Sequence, residues 1–219
     1  MAIDWEAKRD EFLNIFDNKI GCREGKGELR AWLLSDKVDF FTAPASSKFH
    51  GAYPGGLCEH SLDVYYMAVK MAAALENEIR HQYENLSNRV YNRDQFMESL
   101  TIAALFHDLC KVNFYSSSLR PVFNKTTGQK ETKLIYTIDE KFPFGGHGSK
   151  SVFLLQSYLK DLKDEEAMAI NNHMGFSEGV ENINRISQAF HYSPMAWITH
   201  VADEAAIYLL EERSHPDDV

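Results

Sequence analysis

Six residues of this chain place a metal-ligating side chain in or beside an apolar run. His60 lies in LCEHSLDVYYMAVKM, His107 and Asp108 lie in ESLTIAALFHDLCKV, and His147 lies in GGHGS. His173 follows AMAINN, and Asp203 follows WITHVA. Burying such a group costs on the order of several kcal/mol unless it is paired or bound to a metal. One core histidine is explained by one hydrogen bond, and one buried aspartate by a helix cap. Six together are better explained by cations, which turn separate penalties into one compensated cluster. Neutral imidazoles and carboxylates are the ligand set of manganese, iron, zinc or nickel, and six exceed the needs of one tetrahedral structural zinc. Divided around Asp108, they suit two divalent transition-metal ions. His60, His107 and Asp203 serve the first, His147 and His173 serve the second, and the two oxygens of Asp108 bridge them. Neighbours on a helix point about 100° apart, so His107 and Asp108 can face different ions.

The elements that must hold these residues read as helices. Across 57–80, His60, Val64, Met67, Met71 and Leu75 form one stripe at helical spacing. Across 94–112, Leu100, Ala104, His107 and Lys111 share a face, so the doublet is expected mid-helix. Further helices are expected over 4–20, 27–34, 145–160, 164–173 (stopped at Gly175) and 194–213. The last carries Ala196, Thr199 or His200, Asp203, Ile207 and Leu210 on one stripe. Residues 39–56, DFFTAPASSKFHGAYPGG, read as an ordered loop. Residues 120–141 change character, with two β-prone runs around NKTTGQ, and predict a β-hairpin inserted between helices. The expected fold is mainly α, a helical bundle with one small hairpin.

Bulk properties narrow the class. A chain of 219 residues with 44% hydrophobic residues suits one globular unit with a substantial core. It has no apolar run of membrane-spanning length, and MAIDWEAKRDEF has no signal-peptide core. A formal net charge of −9 argues against a surface that coats duplex nucleic acid. It leaves room for a nucleotide or nucleic-acid end in one basic pocket. Cys22, Cys58 and Cys110 lack zinc-finger spacing and read as reduced thiols of a cytoplasmic protein. No repeat or shift in composition marks a second domain, and nothing specifies an oligomeric state.

At the six ligand positions the sequence resembles the HD-domain superfamily of metal-dependent phosphohydrolases, named for a His-Asp doublet. The family pattern is a leading His, the doublet and a distant Asp. Members with two metals add two histidines between the doublet and the last Asp. Here they read EHS at His60, FHDLCK at His107 and Asp108, GGHGS at His147, NNHMG at His173 and THVADEA at Asp203. The run GGLCEHSLDV resembles the HD domain of bacterial 3′-to-5′ exoribonucleases, and also uncharacterised bacterial and phage HD hydrolases. Residues 1–45 read as a helical extension rather than the OB-fold such exoribonucleases carry, and 46–213 as the HD core. Cys110 stands where the family often has Gly.

The resemblance implies hydrolysis of a phosphomonoester or phosphodiester of a nucleotide, a nucleic-acid end or another phosphorylated small molecule. A metal-bridging hydroxide would be the nucleophile, and Asp108 and Lys111 the catalytic side chains. Lys111 follows His107 on the same face and would neutralise a phosphate oxygen. Ser149 and Lys150, in GGHGSKS, offer a second anion contact at a helix start, and Lys48, His50 and Arg185 are further candidates. His200 reads as a supporting residue, and His81, His191 and His215 as surface histidines. Tyr65, Tyr66, Phe114 and Tyr115 read as core, with Phe114 and Tyr115 close enough to the site for a nucleobase contact. The hairpin is expected near the site mouth. Two other readings share the ligand set: a di-iron oxygenase of HD type, and a non-catalytic nucleotide-binding regulatory module.

Overall fold

The computed structural model describes residues 4–124, 128–138 and 145–210. Its central element is α5 (Arg93–Phe106), started by the Asn92 side chain, which accepts from Gln95 N at 3.1 Å. Every residue from Ser99 to Phe106 is buried, so this part of the helix is covered on all sides, while Arg93, Asp94 and Gln95 in its first turn are exposed. It packs against α3 (Gly56–Ala74), α7 (Asp164–Asn171) and α9 (Pro194–Leu209). α6 (His147–Tyr158) packs beside α7, and α8 (Ile183–Tyr192) beside α9. α4 (Glu76–His81) follows α3 after a break at Leu75 and runs into a π-helical turn, Gln82–Leu86.

The N-terminal helices α1 (Trp5–Lys19) and α2 (Lys26–Leu33) share this core. The ring of Phe12 meets Phe40, Phe41 and Phe106 edge-on at 5.0, 5.6 and 5.8 Å. A second tie is ionic. Arg23, between α1 and α2, donates to both oxygens of Glu166 at 2.7 and 2.9 Å, and Nε donates to Asp161 at 2.9 Å. Glu166 is completely buried and also accepts from Ser99 Oγ and the Lys163 amide.

The expected mainly α architecture with one hairpin is what the structure shows. Strands β1 (Tyr115–Asn124) and β2 (Gln129–Ile138) pair antiparallel, Tyr115 opposite Ile138. The hairpin starts earlier than expected, and residues 125–127 and 139–141 lie outside the described residues. The helix expected across 57–80 is broken at Leu75 into α3 and α4, and three further helix boundaries differ. The helix expected over 94–112 ends at Phe106, because Asp108 leaves helical geometry (φ −104°, ψ 20°) and Leu109–Lys111 form a 3₁₀ turn. The doublet is therefore at a helix end, not mid-helix. The helix expected over 164–173 stops at Asn171, and Gly175 takes a left-handed φ of 55°. The helix expected over 194–213 runs to Leu209, and 211–213 lie outside the described residues. α8 was not anticipated, although its buried Ile186 and Ala189 are three residues apart.

Glu166→Ala leaves the Arg23 guanidinium without its main partner and is expected to cost about 3–5 kcal/mol of stability. The urea midpoint should fall with an unchanged slope. A cost below about 1 kcal/mol, the range of exposed ion pairs, would show that water replaces the carboxylate.

Candidate metal centre

Four segments deliver side chains to one buried point. α3 brings His60, the end of α5 brings His107 and Asp108, the residues after α7 bring His173, and α9 brings Asp203. All five are buried. His60 Nε2 lies 3.1 Å from His107 Nε2 and 3.1 Å from Asp203 Oδ1. Asp108 Oδ2 is 3.6 Å from His60 Nε2 and 3.4 Å from His107 Nε2, while its Oδ1 is 3.5 Å from His173 Nε2.

Helix ends fix the ring orientations. The last carbonyls of a helix lack intrahelical donors. His107 Nδ1 meets Ala104 O at 2.8 Å, and His173 Nδ1 meets Ile170 O at 2.7 Å. A carbonyl only accepts, so each Nδ1 carries the proton, and in a neutral ring Nε2 presents a lone pair to the centre. His200 supports from behind, with Nδ1 donating to His173 O at 2.7 Å and its ring stacked on Phe190.

Burial alone would push the Asp108 carboxyl upward, but Lys111 and His107 beside it outweigh burial and hold it well below the usual carboxylate range. Burial also works against ionised Asp203, and His60 and His107 reverse it, so that carboxyl is held low. Burial would lower His173, and Asp108 raises it above the ordinary imidazole value. Lys111 Nζ sits 2.5 Å from Asp108 Oδ2, and its pKa is likewise raised against the effect of burial.

Asp108 Oδ1, Asp203 Oδ1 and His173 Nε2 are enclosed without a hydrogen bond. Inward lone pairs and orphaned carboxylate oxygens are what a divalent cation satisfies. Two overlapping triads have donors within 4.8 Å of one another: His60, His107 and Asp203, and His107, Asp108 and His173. The first is the expected grouping. In the second, His107 stands where His147 was expected. His147 opens α6 and lines the same cleft, with Nδ1 at 3.5 Å from Cys110 Sγ. Cys110 is buried, and burial pushes its thiol up to about 12.

The cleft over the centre has a volume of about 120 Å³, and Lys111 and His50 line it. Met174, Ser177, Glu204 and Ile207 line it too and were missed from sequence. Glu204 had a signal in its adjacency to Asp203, but an acid inside ADEA reads equally as a solvated helix face. Ser149 and Arg185 are not in the cleft. They line a separate basin of about 730 Å³ between α6, α7 and α8. For Ser149, Gly148 explains this: a Cβ there would come within 2.4 Å of Asn171 O, so the ends of α6 and α7 are in contact. Ser149 then donates to Asn171 Oδ1 at 2.8 Å, and Arg185 to Asn172 Oδ1. Lys48 is exposed, and neither it nor Lys150 lines the cleft or the basin.

Of the aromatic residues, Tyr65 and Phe114 are buried, whereas Tyr66 is exposed, its hydroxyl donating to Glu11. Phe114 meets the His147 ring edge-on at 6.2 Å, and Tyr115 OH donates to Ala45 O at 3.5 Å, so the hairpin base adjoins the site. His81 and His191 are exposed, and His215 lies outside the described residues. No described helix is long and apolar enough to cross a membrane.

The helical bundle thus gathers histidines and aspartates from four segments into donor groups that could hold a metal ion. Residues 57–207 match the HD domain family, and the chain belongs to it. Members of that family bind divalent metals. A dihydroneopterin 2′,3′-cyclic phosphate phosphodiesterase of Methanocaldococcus jannaschii is 26% identical over 163 residues, covering 74% of this chain. The chain spans 51% of that relative's length, about half. No solved structure matches.

Manganese at about a hundredfold over its Kd should stabilise the protein by about 2.7 kcal/mol, a rise of roughly 5–10 °C in Tm for a domain of this size. Asp203→Ala should abolish the rise and reduce the metal retained after desalting. An undiminished rise in that variant would exclude Asp203 as a ligand.

Proposed function

We propose that this protein is a metal-dependent hydrolase of phosphoesters, acting on a phosphorylated small molecule or nucleotide. The observation that carries the reading is the pairing of a buried cluster of inward-facing imidazole and carboxylate lone pairs with a lysine at the floor of the same cleft. The cyclic-phosphate phosphodiesterase activity named for the relative supports the same reaction class.

His60, His107 and Asp203 would hold one divalent ion, and Asp108, His173 and His147 a second beside it. Manganese, iron, zinc or nickel suits this donor set. When bound, such ions supply Lewis acidity toward a phosphoryl oxygen and activation of water at neutral pH. The protein contributes the rest. Asp108 turns one oxygen toward His173 and the other toward His60, His107 and Lys111, so it orders both halves of the centre. Lys111 is held at the floor by Asp108 and donates to a phosphoryl oxygen as negative charge develops there. The His50 imidazole, its ring 5.1 Å from that of His60, forms part of the cleft wall and can donate to the ester oxygen. Residues 46–213 act as the HD core and 1–45 as its helical extension. The hairpin stands beside the cleft and shapes access. Three unpaired cysteines suit a reducing, cytoplasmic setting.

The test is turnover of bis(p-nitrophenyl) phosphate and p-nitrophenyl phosphate by manganese-loaded protein. Asp108→Ala should abolish turnover. Lys111→Ala should lower kcat by about 10²–10³ with metal content retained. No turnover of either ester by the wild-type protein would overturn the reading.

A further inference from the structure

We infer that the substrate bears a single phosphate on an uncharged, hydroxyl-rich group, and that Glu204 at the cleft mouth excludes a second phosphate. This rests on the hydrolase reading for the reaction, and adds which phosphoester is taken.

Three observations lead there. The first is size. The cleft, about 120 Å³, is well below the roughly 300 Å³ at which pockets for whole small-molecule ligands begin. It takes a phosphoryl group, and the remainder of the ester must lie across the rim. The second is charge. Clusters of guanidinium and ammonium groups are what hold polyphosphates. Lys111 is the only lysine or arginine among the described residues lining the cleft, and Asp108 Oδ2 at 2.5 Å already engages it. The arginine expected to serve, Arg185, is in the separate basin.

The third is what stands at the mouth. Glu204 is exposed on α9, one residue past Asp203, and lines the cleft with Ser177, Met174 and Ile207. A second phosphate on the substrate would meet a carboxylate there, and among the described residues lining the cleft the one lysine or arginine, Lys111, is already engaged by Asp108. Like charges brought together in this way cost several kcal/mol. A vicinal diol finds the opposite: the Glu204 carboxylate accepts from hydroxyls, the Ser177 hydroxyl both donates and accepts, and Met174 and Ile207 offer apolar contact. The fitting substrates are monophosphates or cyclic phosphates of nucleosides and polyols. Nucleoside polyphosphates and oligonucleotide ends do not fit.

Two probes differing by one phosphate separate the possibilities: 3′-AMP and adenosine 3′,5′-bisphosphate, titrated calorimetrically into manganese-loaded protein. The wild type should bind 3′-AMP tighter by about tenfold or more. Glu204→Gln should shrink that ratio to about threefold or less by tightening the bisphosphate, and Glu204→Lys should invert it. Equal or tighter binding of the bisphosphate by the wild type would overturn the inference. So would a ratio unmoved in Glu204→Gln, or binding of neither probe at roughly millimolar concentration. Discrimination without turnover of any ester would sink the hydrolase reading and leave the selectivity standing.

Discussion

A carboxylate buried among imidazoles is tolerable only if positive charge comes with it, and the protein meets that requirement where α5 ends. Asp108 is the group on which the site depends. Lys111 supplies one positive charge directly, and the turn that places it is the 3₁₀ turn that follows α5. His60, His107 and His173 supply ring nitrogens around both carboxylate oxygens. Ending the helix at Phe106 frees the Ala104 carbonyl to orient His107 and lets Asp108 turn toward α3 and α9. Had the helix continued, the doublet would have projected from one rigid cylinder, and that carbonyl would have been used within the helix.

The same device recurs at α7. His173 takes its orientation from Ile170 O, three residues back, as His107 does from Ala104 O. Each ring is thus set by its own local chain, and the job of tertiary structure is to bring the helix ends together. The buried stretch of α5 from Ser99 to Phe106, the edge-on cluster of Phe12, Phe40, Phe41 and Phe106, and the Arg23–Glu166 pair between the N-terminal segment and α7 all serve that end.

Much of this was legible in the sequence because polar residues in apolar helices are conspicuous. His60, His107, Asp108, His173 and Asp203 stand out against their neighbours, and they are the residues the structure gathers. Lys111 also stood out by its spacing. The helix end at Phe106 was not legible, because Leu109 and Cys110 continue the apolar pattern and are themselves buried. Where His147 stands relative to the end of α7 depends on the close α6–α7 contact at Gly148, which local pattern does not encode. Ser149 and Arg185, expected as substrate contacts, instead line the separate basin, Ser149 donating to Asn171 and Arg185 to Asn172, contacts between elements that local pattern does not encode.

Three histidines near the doublet, His107, His147 and His173, differ in what holds their rings. For His107 and His173 the anchor is main chain, which every amino acid supplies, so no single replacement elsewhere can delete it. His147 Nδ1 meets the Cys110 thiol, a weak partner contributed by one side chain, and its ring meets Phe114 edge-on. A replacement at position 110 therefore removes one side-chain contact of His147, whereas no side-chain replacement removes the carbonyls that hold His107 and His173.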